Sequence, residues 1–421
     1  MTPTRATWPR RLFDGVAGEG LADLDAHQAQ WGAIPPLSPE QIIEVAERSG
    51  LLGRGGAGFP TGRKMRTVAA GSRRAVVVAN GAEGEPASAK DKLLLTRVPH
   101  LVFDGIGLAA RAVKADEAHL VVHDNHRLAT TLRRQLAARR GDPVVVQVHE
   151  LPRRYVASEE TAIVHWLNGG EAKPTFTPPR PFEQGVGRRP TLINNVETLA
   201  HLATVARRGD EWFRAVGDLD EPGTLLVTLS GEGADRRVAE VPTGTTIGAV
   251  AERARVDLAR SPGVLVGGYF GTWLPTDYAT QLPLTHRALR SAGAALGAGI
   301  IAALPPDRCG VVETARVASY LAAHNAGKCG PCLNGLPAIA GALRALATGR
   351  WDDRQWPLLE RWLSVVPGRG ACRHPDGAVR FVATALSTFA ADVARHRSGQ
   401  LCRHAGAPAW LPVPSVAAGW R

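Results

Sequence analysis

Lysine, methionine, aromatic residues and cysteine are all scarce in this chain, and each scarcity narrows what the protein can be. The 421 residues hold five cysteines, an odd number and too few for the disulfide framework of a secreted scaffold. Aromatics make up only 5% and do not interleave with basic runs, so no stacking platform for nucleic acid is expected. No apolar run approaches the roughly 20 residues of a membrane helix. The longest, 293–304, is Gly/Ala-rich and too short, so direct membrane insertion is not expected either. The opening MTPTRATWPRRLFDG is basic but has no apolar h-region, which leaves a cytoplasmic setting as the expectation. Lys plus Arg against Asp plus Glu gives 50 − 39 = +11, yet only six of the fifty basic residues are Lys. An excess of Arg, Ala and Gly with two Met reads as GC-biased coding, so the charge by itself names no partner.

What is present describes an ordinary globular protein. Hydrophobic residues at 44% and charged residues at 21% can bury normal cores, and the length predicts about three domains at roughly 150 residues each. From Gln41 the chain reads as a helix, a glycine-rich loop and a buried strand at 75–79 (AVVVA). Helical periodicity at 105–114, a strand at 120–123, an Arg-rich helix at 128–139 and a strand at 144–149 follow. This alternation predicts an α/β, Rossmann-like domain over 1–215, containing a Pro/Gly-rich loop at 173–190 and a helix from about Asn195 to Arg208. From Gly223 the order strand, strand, helix, strand predicts a small β-grasp domain over 216–300. Helices at 318–324, 337–348, 355–363 and 378–395 predict a C-terminal helical bundle over 301–421, carrying the cysteine motif and ending in a loose tail.

Five segments carry chemistry. LGRGGAGFPTGRK (52–64) packs Gly53, Gly55, Gly56, Gly58 and Gly62 into one loop, able to bring backbone N–H groups against a phosphate that Arg54 and Lys64 could neutralise. Its spacing is neither a Walker loop nor a dinucleotide fingerprint, and a plain connecting loop is the alternative. NGAEGEP (80–86) follows the AVVVA strand, which places Asn80, Glu83 and Glu85 where ligands collect in α/β domains, or else in a solvated acidic turn. In YVASEET, Glu159 and Glu160 stand at a helix start as ligands or as a cap. In PTLINNVET, Asn194 and Asn195 offer amide donors to a heterocycle or phosphate, or simply cap the next helix. GKCGPC, with Cys372 forty residues on, offers the three thiolates of Cys329, Cys332 and Cys372. They suit an iron–sulfur cluster, or a structural zinc completed by His324 or His374; Cys309 and Cys402 read as core or surface thiols.

In this order the segments resemble the NADH-binding flavoprotein of NADH-quinone oxidoreductase, the F-subunit family of respiratory complex I, with its relatives in NAD-linked hydrogenases and formate dehydrogenases. GLLGRGGAGFPTGRKM looks like the family's nucleotide loop, ANGAEGEP its N-A-D-E-G-E-P segment, and YVASEETA its Y-x-C-G-E-E-T-A. PTLINNVETLA and GKCGPCLNG resemble its asparagine and cluster signatures, and the likeness runs over about residues 45–400. The resemblance implies FMN and NAD(H) in one cavity, hydride transfer to the flavin, and single-electron steps outward through a cluster to a ferredoxin-like acceptor or the other subunits of a redox complex. It implies that Gly53, Arg54, Gly55, Gly56 and Lys64 hold the FMN phosphate region, with Gly58 in the same cofactor loop. Phe59 would lie near NADH. Asn80, Glu83, Asn194 and Asn195 would contact the flavin, and Glu85 and Glu160 the nicotinamide half, with Glu159 among the cofactor ligands. The alternative is a degenerate, non-catalytic paralogue acting as a flavin-binding or scaffold component.

The departures from the family pattern are specific. The first cluster cysteine falls on Ala326, which leaves three thiols and predicts a [4Fe–4S] cluster with a substitute ligand (His324, Asn325 or solvent), a [3Fe–4S] form, or none. Ala82, Ala157 and Ser158 replace the family's Asp, Cys and Gly. Thr177 and Arg180 stand where the family has Lys and the Phe at the adenine end, and an Arg there would stack on adenine or favour the 2′-phosphate of NADPH.

Overall fold

The computed structural model describes residues 10–14, 20–232, 234–415 and 419–421; residues 1–9, read above for a leader segment, lie outside them. The first sheet has four parallel strands, β1 (Val76–Gly81), β2 (Glu117–His123), β3 (Val146–Leu151) and β4 (Thr191–Asn195), in the spatial order β3-β2-β1-β4. Parallel strands are covered on both faces, and β1 is apolar on both. Val77 and Ala79 share a core with the helix Pro99–Ala112, while Val76 and Val78 face Ile163 and Val164 of the helix Glu160–Leu167. From β1 the chain crosses to β2 on one side and returns as β4 on the other. A crevice therefore opens at the carboxyl end of β1, the switch point at which such sheets bind ligands.

β4 is a strand that the sequence did not predict, the two asparagines having been expected only ahead of a helix. Its register sets Asn194 beside Ala79 and Asn195 beside Asn80, so both asparagines stand on the sheet's carboxyl edge. The glycine-rich segment is also shorter as a loop than expected, because Thr61–Ala69 is helical. The following helix runs Val196–Arg214, interrupted at Gly209 (φ 84°).

The second sheet is mixed: β5 (Thr224–Gly231), β6 (Ala234–Pro242), β7 (Val264–Val266), β8 (Thr272–Leu274) and β9 (Ile300–Ala303), in the order β6-β5-β9-β7-β8. The helix Ile247–Ala254 follows β6 and shares the core of this unit. A division after residue 300 would cut β9, which pairs with both β5 and β7.

The C-terminal helices are Gly310–Ala323, Leu336–Ala347, Trp356–Val365, His374–Thr388 and Ala390–Arg397. The last two replace the single helix expected over 378–395 and meet at a bend of 86°. Phe389 leaves helical geometry there (φ −103°, ψ 32°), and its buried ring packs edge-on against Trp273 of β8 at 5.1 Å. The tail expected to be loose is docked. Glu313, buried in the bundle, accepts from the N–H groups of Trp410 (3.2 Å) and Leu411 (3.0 Å), and Tyr269 Oη donates to Pro412 O at 2.6 Å. A buried carboxylate needs such donors, and here the tail's backbone and Arg316 supply them. Among the described residues no single helix is long and apolar enough to cross a membrane.

Candidate functional site

At the carboxyl end of β1 the chain turns through Asn80 and Ala82 into Glu83-Gly84-Glu85, and three cavities meet there. The largest of the three, about 440 Å³, is lined by the acidic Glu83 and Glu85 and by the basic Lys92, Arg153, Arg154 and Arg236. Pro414 and Ser415 of the docked tail also line it. A second, about 140 Å³, lies between Gly55 and Arg54 of the glycine loop and Asn80, Ala82, Glu83, Lys90, Ser158 and Asn195. The third, about 280 Å³, runs from Gly55 past Glu85, Tyr155 and Glu159 to Phe270, Cys372 and His374. Gly267, Gly297 and Ala298 of the middle unit complete its wall, so that unit builds the site instead of merely spacing the other two.

Glu85 lines all three cavities. Its Oε2 accepts from Tyr155 Oη (2.9 Å) and from Tyr269 N–H (2.8 Å), while Ala87 N–H reaches Oε1 at 3.4 Å. Burial pushes its carboxyl up to about 7, against the opposing pull of those donors. Around it stand three of the chain's four tyrosines: Tyr155 and Tyr269 are nearly parallel at 6.4 Å, and Tyr320 meets each edge-on at 6.0 Å. Tyr155 then contacts Phe270 (4.8 Å) and His374 (5.9 Å), which carries the aromatic contacts toward Cys372. The sequence offered a weak signal for this cluster, the glycine pair and Tyr of VLVGGYFG directly after a strand.

The floor is a buried ion network that sequence reasoning missed. Lys90 Nζ donates to Glu197 Oε2 (2.7 Å), Asp91 Oδ1 (2.8 Å), Arg54 O (3.3 Å) and Asn195 Oδ1 (3.4 Å). Burial opposes its charge, but Asp91 and Glu197 outweigh that and hold the ammonium above its ordinary value. Asn195 caps the helix Val196–Arg214 by accepting from Glu197 N–H (3.0 Å), and its Nδ2 donates to Asp91 Oδ2 (2.7 Å) and Asn80 O (3.3 Å). Glu83 accepts from Ser88 Oγ and from the N–H groups of Asp91 (3.1 Å) and Lys92 (3.3 Å), which caps the helix Lys90–Arg97; burial and Asp91 raise its carboxyl. A Lys-Asp-Lys soon after Glu-Gly-Glu-Pro, in so lysine-poor a chain, was the available signal.

The other expected residues fall into two groups. Asn80, Gly55 and Glu159 face the cavities. Asn80 Nδ2 donates to Ser158 O (2.9 Å), and Glu159 caps its helix through Thr161 N–H (2.9 Å) and Ala162 N–H (3.1 Å), with burial raising its carboxyl. Asn194 is buried, and its Nδ2 has no partner among the described residues. Gly53 N–H closes the loop on Phe59 O (2.9 Å). Gly56 (φ 103°) and Gly58 (φ 65°) occupy conformations that favour glycine, where a Cβ would meet Gly297 O at 2.9 Å and the His286 ring at 2.6 Å.

Arg54 and Lys64 differ from expectation. Arg54 lines the second cavity, but its guanidinium donates to Pro222 O (3.4 Å) and faces Glu197 and Glu221, and burial lowers its basicity. Lys64 donates to Ile193 O (2.6 Å) and faces Glu160. Lys64 is thus occupied within the protein, whereas the buried Arg54 Nε keeps a donor with no partner among the described residues. Phe59 is half exposed beside Arg63, and Phe176, next to Thr177 and close to Arg180 in sequence, is exposed as well.

Cys329 and Cys332 sit at the start of a wide helical turn, Pro331–Gly335, where Cys329 O accepts from the N–H groups of Cys332 (3.1 Å) and Leu333 (3.0 Å). Burial and the neighbouring Cys329 and Cys372 push the Cys332 thiol up, and burial raises Cys372 to about 11. Two of the candidate substitute ligands are already committed. His324 Nδ1 accepts from Tyr155 N–H (3.2 Å), so its proton sits on Nε2. The Asn325 amide closes on its own loop through Ala322 O and Gly327 N–H (2.7 Å). His374 is different: Nε2–H donates to Leu321 O (2.9 Å), and its buried Nδ1 lone pair has no partner among the described residues.

Comparison with known proteins identifies the family. Residues 46–204 match the family described as the Nuo51 FMN-binding domain, and residues 313–396 match the NADH-ubiquinone oxidoreductase-F iron-sulfur binding region. The chain is 30% identical over 413 residues to the second NADH-quinone oxidoreductase F protein of Rhizobium meliloti, covering 93% of this chain and 98% of that protein. It is 32% identical over 382 residues to the NADH-quinone oxidoreductase F protein of Salmonella typhimurium, covering 85% and 84% of the two chains. Among solved structures it is similar to the NAD+-reducing [NiFe]-hydrogenase in the H2-reduced state, with a TM-score of 0.79 and 31% identity over 87% of this chain. It spans 64% of that hydrogenase chain's length. The chain therefore belongs to the family of NADH-quinone oxidoreductase F subunits.

Proposed function

We propose that the chain is the electron-entry component of a redox complex, taking hydride from NADH onto FMN and passing single electrons outward through an iron–sulfur cluster at Cys329, Cys332 and Cys372. One observation carries this reading: a single cavity is lined by Gly55 of the glycine loop, by Glu85 and by Cys372. FMN, when bound, supplies a two-electron acceptor that releases electrons one at a time. The chain's own residues do the positioning. Gly53, Gly55, Gly56 and Gly58 bring main-chain N–H groups against the phosphate, and the unpartnered Asn194 Nδ2 donates to the ring system, with Asn80, Glu83 and Asn195 as its polar wall. Glu85, with Glu159 and Glu160 nearby, faces the nicotinamide half. Its Oε2 is occupied by two donors, and burial pushes its carboxyl up to about 7, so it can exchange a proton near neutral pH.

Three cysteines suit a three-iron cluster, or a four-iron cluster completed by His374 Nδ1. Homologous proteins work as parts of larger assemblies, so the acceptor is a partner chain or a ferredoxin-like protein in the cytoplasm, and the +11 charge steers an acidic one. Anaerobic purification followed by NADH titration tests the reading. Flavin absorbance that bleaches with NADH, with about three to four irons per chain, is the expected result. A colourless protein, or flavin that does not bleach, overturns it.

A further inference from the structure

The two cysteines left outside the cluster motif are not isolated core thiols. Cys309, His396 and Cys402 are all buried, and their ligand atoms lie within 4.8 Å of one another. We propose that they form a second metal site, separate from the Cys329–Cys332–Cys372 set, for a soft d10 cation of the zinc class.

The geometry is that of a ligand set. Cys309 Sγ stands 3.6 Å from His396 Nε2. A tetrahedral ion bound at the usual metal–sulfur and metal–nitrogen lengths would separate such a pair by about 3.6 Å. The imidazole has the tautomer that a metal requires: Nδ1 lies 3.0 Å from Leu346 O, which can only accept, so the hydrogen is on Nδ1 and the lone pair on Nε2 points to the thiols. The Cys402 N–H now reaches that lone pair at 3.3 Å, a long contact that a cation displaces. Cys309 stands at the N-cap of the helix Gly310–Ala323 and makes no side-chain capping bond, which leaves its sulfur to this group. Binding M2+ with two thiolates and one neutral imidazole releases two protons to solvent; a monovalent d10 ion would release the same two. No other protein ligand stands in this group among the described residues, so a solvent molecule or a trigonal geometry completes it.

Three distant segments converge here: the loop after β9, the helix Ala390–Arg397 turned back by the bend at Phe389, and the start of the tail. The metal would staple the tail that continues to Pro412, Pro414 and Ser415 at the cavity wall. Its presence does not depend on flavin or cluster chemistry.

The full chain with Cys329, Cys332 and Cys372 all changed to Ser isolates the site. Metal analysis of that protein as purified is expected to give about one zinc per chain, or one copper if the occupant is Cu(I), and to lose it when Cys402→Ala is added. In the same triple-Ser chain stripped by chelator, added Co2+ is expected to produce thiolate-to-cobalt charge-transfer bands that His396→Gln weakens. Less than a tenth of an equivalent of either metal, with no cobalt–thiolate absorbance, overturns the site. So does a two-proton mass loss showing a Cys309–Cys402 disulfide in protein purified anaerobically. If the Cys402→Ala chain does not fold, the cobalt spectrum of the chain that keeps Cys309, His396 and Cys402 decides alone.

Discussion

At the glycine-loop end of the cavity, the groups that would face a cofactor also hold the fold. Asn195 and Glu83 each cap a helix, and Lys90 neutralises the buried carboxylates of Asp91 and Glu197. At the cysteine end Cys329 and Cys372 are only partly buried, and Cys329 packs beside the hydrophobic core of the helical bundle. Binding chemistry and stability are thus merged at one end and separable at the other. Losing a side chain should threaten the whole domain in the first case and mainly the electron exit in the second.

The largest effect tests that contrast directly. Lys90→Met removes the cation from two buried carboxylates, and unpaired buried charge of this kind costs about 3–5 kcal/mol. Urea unfolding should show that loss; a change under about 1 kcal/mol would mean that the network is wet and the comparison fails. Next comes Glu85. Its carboxyl titrates near 7 in the fold and near 4.5 when unfolded, so between those values the native state holds the extra proton. Stability then falls as pH rises through that window and levels off above it, a loss of up to roughly 3 kcal/mol. Glu85→Gln should remove this contribution, making the slope of thermal melts between pH 4.5 and 8 less negative than in the wild type, and flatten the pH dependence of NADH oxidation near neutrality. A smaller loss of stability, no more than about 2 kcal/mol, is expected for Cys329→Ser, because the thiol is only partly buried. Iron content and electron transfer to a one-electron acceptor should drop in that variant far more than its melting temperature. Smallest is Arg180→Ala. If the exposed guanidinium meets a 2′-phosphate, the ratio of NADPH to NADH rates should fall about five- to tenfold, or roughly 1 kcal/mol; an unmoved ratio removes NADPH from consideration.

Much of the glycine-loop end was legible because its segments have strong local signatures. Five glycines in one loop, a buried strand and acidic residues directly after it place a site by the logic of parallel sheets alone. Local signatures also misled. TLINN ends in two asparagines and lacks the unbroken apolar run of AVVVA, so β4 was not visible until its pairing with β1 was known. Lys90 and Arg54 were not assignable because their partners, Glu197 and Pro222, are more than a hundred residues away. His324 and Asn325 had the right chemistry for a fourth ligand and the wrong commitments, which only hydrogen bonds reveal. The bend at Phe389 and the docked tail share one cause: each depends on a long-range contact, to Trp273 and Glu313, that no periodicity encodes.

The lysine shortage noted in the sequence acquires a use once positions are known. Of six lysines, Lys90 is buried and Lys64 half-buried beside the site, and Lys92 stands exposed in the wall of the cavity that holds Arg153, Arg154 and Arg236. A chain whose basic surface is nearly all arginine offers amine-reactive reagents few places to go. Acylation footprinting therefore becomes a near-local reporter on this protein, with Lys114, Lys173 and Lys328 as internal references and Lys92 as the position whose protection follows whatever enters the cavity.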